Sequence, residues 1–327
     1  MPLWPCPALM HAFHALFALL FFSATVHSAD PGDVVAFLNG SVAATVSVVF
    51  LDGGQVGVTL AVAEDPVGVA IDMRRRLVFI TSTKSQTLSS IDIDSQSVVN
   101  HVAAGSAPLG VAADVRSGRV YVSDSAGARV LIFDAQTLAA RGEYKTGATP
   151  AGLALTPNGR RLLVVNRNDN DVTVIDTLNG LTEGRVAVGI APNAIAVSPN
   201  GHYAFVTNSG SDDVTMIDLQ ALQPSSTLAV GGTPYASVFD PQRQRLFVTN
   251  ENDNSVSVLD LVDQREIVRV TVGQRPEGID IHSLTRKLYV TNRQSDYLSV
   301  INADTLEVER GVTTGAGSRA FGSFLLQ

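Results

Sequence analysis

Arg275 and Glu277 flank Pro276, Arg319 follows Ser318, and Glu64 with Asp65 precede Pro66. Guanidinium groups can grip a carboxylate or phosphate through paired, charge-assisted hydrogen bonds. A carboxyl group in a confined place can act as acid or base. Either use requires that the chain fold these separated residues to one place. Tyr235 and Asn193 occupy the corresponding position, one residue after a proline, in two other segments. The correspondence is a repeat. Pro66, Pro108, Pro150, Pro192, Pro234 and Pro276 lie 42 residues apart, and Ser318 takes the seventh place.

Each of the six prolines opens a phrase such as PVGVAID, PAGLALT or PEGIDIH. A second phrase keeps the same step, from FLNG at Phe37 to FVTN at Phe205 and Phe247 and YVTN at Tyr289. A third, VTVID in its clearest copy, ends at Asp92, Asp134, Asp176, Asp218 and Asp260, with Phe50 and Asn302 at the flanking copies. In the unit from Pro150 the apolar runs predict strands at 152–155, 161–165, 171–175 and 184–188. Four short strands with tight turns fill one period, and a period in the forties marks propeller blades. Pro157-Asn158-Gly159 and Pro199-Asn200-Gly201 read as turns, and Asp176 as a turn residue accepting backbone N–H groups. The reading is all-β: a seven-bladed β-propeller spanning residues 30–327.

The ends predict how the ring closes. The chain begins its repeats with three strands and finishes, from Ser318, with one. Together they make the seventh blade, joined one-plus-three, and this closure removes two sheet edges that would otherwise be exposed. A monomer is expected.

The phrases LYVTN, VTVID and VGQRPEG resemble the YVTN-type (YncE-like) β-propeller repeat family, and the ending RAFGSFL is similar to that of its periplasmic proteobacterial members. The resemblance covers residues 30–327 and implies the propeller fold and a binding or accessory role. Phe50 in place of the turn Asp and Ser318 in place of Pro depart from its pattern. Seven-bladed propellers of related appearance also hydrolyse sugar lactones through channel acids, for which Glu277 or Asp65 would serve here. A third possibility is an accessory protein of a periplasmic quinone or haem dehydrogenase pathway. It is disfavoured because no tryptophan follows Trp4 to stack on a planar cofactor.

Residues 1–29 read as a secretory signal. The run Ala15–Phe22 is apolar and small residues stand at Ser28 and Ala29; the departure from the pattern is the head, where no Lys or Arg precedes the run. The run is too short to span a bilayer, so export to the periplasm without a remaining membrane anchor is expected. Cys6, the one cysteine, falls in this segment, which excludes disulfides from the rest. The formal charge of −8 argues against a nucleic-acid partner.

Known catalytic signatures are missing: no nucleophile elbow, phosphate loop, zinc-protease helix or haem-attachment motif. His101, His202 and His282 fall in non-neighbouring repeats, so no His-based metal site is expected. The recurring Asp and Asn residues are assigned to structure, because a reacting group is needed once and a turn group in every blade. Function is expected where the repeats differ. The proline-flanking residues and the loops between second and third strands share one face of the disc. There Arg275, Glu277, Arg319, Asp65, Glu64, Tyr235 and Asn193 are the individual side chains. The expectation is a channel-mouth site for a partner protein or small polar ligand, with no cofactor, no metal and no catalysis.

Overall fold

A computed structural model describes residues 35–314 and 317–326; the signal-like segment lies outside these. The described chain forms seven four-stranded antiparallel sheets. The sheets are the blades of a propeller, each beginning at the proline position with its innermost strand. The third blade runs Pro150–Leu155, Arg161–Asn166, Asp171–Asp176 and Thr182–Ala187. Its fourth strand starts two residues before the expected place, because a bulge between Val174 and Ile175 shifts the pairing.

The P-x-G phrase is explained by how neighbouring blades meet. Thr81 on a second strand accepts the Gly68 N–H at 2.9 Å and donates to the carbonyl of Leu109, in the next blade, at 2.6 Å. The same staple recurs at Ser123 to Ala151, Thr207 to Tyr235 and Thr249 to Glu277. A Cβ on Gly68 would clash with the Leu109 carbonyl, and one on Gly278 with that of Ala320. Glycine is thus needed for the inner strands to approach each other.

Between blades, one large side chain per second strand fills the core: Phe79, Tyr121, Phe205, Phe247 and Tyr289 are all buried. The structural Asn and Asp residues behave as expected. Asn166 bonds Asp171 and Thr173 through its amide and accepts the Gly147 N–H. Asp176 accepts the N–H groups of Leu178 and Asn179, and Gly159, Gly180 and Gly201 take the left-handed turn positions.

The ring closes one-plus-three. Ser318–Arg319 pairs antiparallel with Val35–Gly40, which continues through Thr45–Phe50 and Gln55–Ala61. The closing strand is less regular than the sequence suggests. After Arg319 it keeps only a bridge from Phe321 to Gly68 and another from Leu325 to Ala36. The interruption coincides with Asp280, whose carboxylate takes the backbone amides of Phe324 and Leu325.

Candidate functional site

The residues singled out by sequence lie around the proline end of the channel. In each copy, the first residue of the second-to-third loop donates its N–H to the linker residue before the proline position: Thr83 to Asp65, Arg167 to Thr149, Glu251 to Thr233 and Arg293 to Arg275. Asp65, Thr149, Thr233 and Arg275 all adopt positive φ. The conformation recurs regardless of residue type, so it belongs to the repeat and not to a strained site.

Three positions per blade therefore line the mouth: the two residues flanking the proline and the first loop residue. Read around the ring, their charged members are Arg167, Arg275, Arg293 and Arg319 against Asp65, Glu251 and Glu277. Four arginines face three acids, in a chain whose formal charge is −8.

These groups form a connected set on blades five, six, seven and one. Arg319 lies 3.5 Å from Asp65 and 4.0 Å from Glu277. Glu277 accepts from Arg293 at 3.0 Å. The Arg275 Nε donates to Glu251 at 2.7 Å, and its terminal nitrogen reaches the same oxygen. On blade four, Asn193 accepts from Arg167 at 3.0 Å and donates to the Tyr235 carbonyl at 2.9 Å. The Tyr235 ring meets Phe321, from the closing segment, edge to face at 5.6 Å between centroids.

These side chains do not make a fully solvated rim. Glu277, Arg319 and Asn193 are buried, and Arg319 cannot join Arg275 in gripping one anion because its side chain is only 10% exposed and lies between Asp65 and Glu277. The arginine beside Arg275 is Arg293. Their side chains are 43% and 41% exposed, and their backbones are hydrogen-bonded. Glu64 stands apart, paired with Lys84 at 2.9 Å on the exposed rim. Burial pushes the Glu277 carboxyl above its ordinary range, against the opposing pull of Arg319 and Arg293. Burial likewise raises the Tyr235 phenol.

Arg293, Glu251 and Arg167 are not among the residues singled out by sequence, which all lie beside the proline position. The signal was present in the divergent loops that begin NRQSDY, NENDNS and NRNDND. Asp280 is not among the singled-out residues either. It stands in PEGID where the other phrases have Ala or Val, and it faces the channel below the mouth. Its carboxylate accepts the Ser323 hydroxyl at 2.8 Å and the N–H groups of Ile281, Phe324 and Leu325. Burial raises its proton affinity, partly offset by those donors.

Among the described residues no group of His, Cys, Asp and Glu is placed to hold a metal ion. No helix there is long and apolar enough to cross a membrane.

Residues 189–321 match the family described as "Lactonase, 7-bladed beta-propeller". No curated protein matches the chain. Among solved structures, a Lactobacillus plantarum protein is similar with a TM-score of 0.76 at 17% identity, covering 90% of this chain and 99% of its own. A Bacteroides uniformis protein described as a candidate 6-phosphogluconolactonase gives 0.72 at 17% identity, over 86% and 97%. The dihydro-haem d1 dehydrogenase NirN, solved in complex with DHE, gives 0.66 at 16% identity, over 90% and 66%. At such identities the likeness shows the fold alone: a seven-bladed propeller of four-stranded blades.

Proposed function

We propose that the protein is an exported, periplasmic binding propeller that holds a small polar anion, or an anionic group of a partner protein, at the proline-end mouth. The observation that carries this is the excess of arginine there: three of the four, Arg167, Arg275 and Arg293, are at least partly exposed. An incoming carboxylate or phosphate would meet two half-exposed guanidinium groups, Arg275 held by Glu251 and Arg293 held by Glu277, on backbones joined by a hydrogen bond. Export is supported by the apolar run Ala15–Phe22 followed by Ser28 and Ala29. A thermal-shift screen of organic acids and phosphate esters on the exported protein tests the reading, since a specific ligand raises Tm. Arg275→Ala with Arg293→Ala should weaken the strongest binder at least about tenfold, or ~1.4 kcal/mol. Unchanged affinity in that double variant would remove the site from consideration.

A second reading is lactone hydrolysis, favoured by the family match over blades four to six and the inner strand of blade seven and by the raised proton affinity of Glu277. Ring opening needs a group that can deliver or take a proton near neutral pH, and Glu277 is the mouth carboxyl whose environment moves it that way. Turnover of a sugar lactone that falls at least about a hundredfold in Glu277→Gln would favour this reading over binding alone.

A further inference from the structure

The channel is mostly closed at the proline end, where Val67, Ala151, Asn193, Glu277 and Arg319 are buried and Leu109 and Tyr235 partly exposed, and more open at the other. The inner strand of blade four, Pro192–Val197, passes from buried at its start to partly exposed over its last four residues, and Pro150–Leu155 does so over its last two. Pro276–His282 stays buried throughout. Below the plug of Tyr235, Phe321, Glu277 and Arg319 lies a cavity of about 330 Å³, lined by Val69, Val111, Leu153, Ile195, Ile279 and Phe321 together with small residues. That size suits a small molecule. Asp280 is the one ionisable side chain in the lining, and its oxygens are already taken by four donors.

The turns around the open end are not neutral. Three residues beyond Ile71 and Ala113 of the lining stand Arg74 and Arg116, and Arg160 occupies the same turn of blade three. All three are exposed. The ion pairs of these blades run through other arginines, namely Arg75, Arg76, Arg129, Arg141, Arg161 and Arg185. Among the described residues, Arg74, Arg116 and Arg160 have no carboxylate within ion-pairing distance. The turns are held in a row: Arg75 donates to the Val115 carbonyl at 3.2 Å, and Arg116 to that of Asn158 at 3.5 Å. Across the ring the corresponding turns carry His202, Arg243, which is paired with Asp304, and Leu284 with Arg286, which is paired with Asp240 and Asp304.

We infer that the open end of the channel is a second binding site, for a small molecule with a compact uncharged body and one anionic head group. The body occupies the cavity, and the head lies on the side of blades one to three, where the unpaired arginines supply the attraction. A cationic ligand finds no free carboxylate in the lining. This site is independent of the one at the proline-end mouth.

The test uses 2-naphthoate and its uncharged counterpart 2-naphthalenemethanol as probes, followed through the methyl NMR signals of Val69, Val111, Leu153, Ile195 and Ile279 in the exported protein. Saturable shifts are expected for both, with naphthoate binding at least about tenfold more tightly. Arg74→Ala with Arg116→Ala and Arg160→Ala should erase that advantage and leave the alcohol unaffected. Ala154→Leu, which fills the cavity, should weaken both; the arginine variants, being on the surface, keep the test open should that variant fail to fold. Absence of saturable shifts, equal affinity for the two probes, or loss of naphthoate binding on Arg275→Ala with Arg293→Ala would overturn the inference. The last result would assign the anion to the opposite mouth.

Discussion

The carboxylate of Asp280 accepts the backbone N–H of Phe324 at 3.0 Å across 44 residues of chain. It also takes the Leu325 N–H and the Ser323 hydroxyl, so one buried acid in blade six fixes the segment that closes blade seven. Asp280→Ala would leave these donors buried and unpaired, at a cost on the order of 3 kcal/mol. Asp280→Asn, which keeps an acceptor oxygen, should cost less. Urea denaturation orders the three proteins, and an Ala variant as stable as the parent would mean the closing segment holds by packing alone.

Packing is the other half of the closure. Phe324 is fully buried in the cluster with Val35, Phe37, Tyr289 and Leu298, and its carbonyl accepts the Phe37 N–H at 2.9 Å. Phe324→Ala should destabilise the ring by about 3–5 kcal/mol. Removing the chain from Ser318 onward should lower Tm for the whole ring in one transition, because it strips the inner strand from a blade that two neighbours pack against. A truncated protein that melts like the full one would disprove the one-plus-three closure.

The fold was legible because the same local chemistry is written once per blade. The Gly of P-x-G, the hydroxyl that staples it to the next blade, and the turn Asp each have a physical duty that recurs, so their 42-residue spacing is the spacing of blades. The site was legible only as a location. Arg275, Glu277 and Arg319 break the pattern visibly, but a break in a pattern carries no information about depth. Whether a mouth residue is solvated depends on Phe321 crossing to Tyr235 and on loop residues Glu251 and Arg293 reaching inward. Those are contacts between blades that no single repeat encodes. The closed end and the open end of the channel were illegible for the same reason.

Export predicts a definite mature protein. Its intact mass should begin at Ala29 or Asp30, and it should show no tryptophan emission, since Trp4 leaves with the signal. A start upstream of Ser23 would sink the signal reading.

Arg319 and Arg275 should respond differently to removal. The Arg319 side chain is 10% exposed and faces Glu277, at 3%. Arg319→Ala strips one of two cations from a buried carboxylate, and a loss of about 3–5 kcal/mol is expected. Arg275 is much more exposed, although its partner Glu251 is not, so Arg275→Ala should cost less, about 1–2 kcal/mol. Thermal melts of the two variants decide it; equal, small effects would show that Glu277 is adequately served by Arg293.

Glu277 should leave a signature in the pH dependence of stability. Its carboxyl is raised above the ordinary 4.5 by burial, against the pull of Arg319 and Arg293. Over the interval between the ordinary and the raised value, the folded protein binds more protons than the unfolded chain, so this residue's contribution to stability falls as pH rises. Below the ordinary value both states are protonated and the penalty is absent. Above the raised value it is complete and constant. Glu277→Gln removes the titration, though it also weakens the link to Arg293. The difference in Tm, variant minus parent, should therefore increase on going from about pH 4.5 toward neutral and then level off. Asp280 is raised in the same direction and contributes equally to both proteins, so it cancels from the difference. Melts of both proteins at half-unit steps of pH give the curve. A difference that is flat, or that grows as pH falls, would mean the two arginines outweigh burial and hold Glu277 charged throughout.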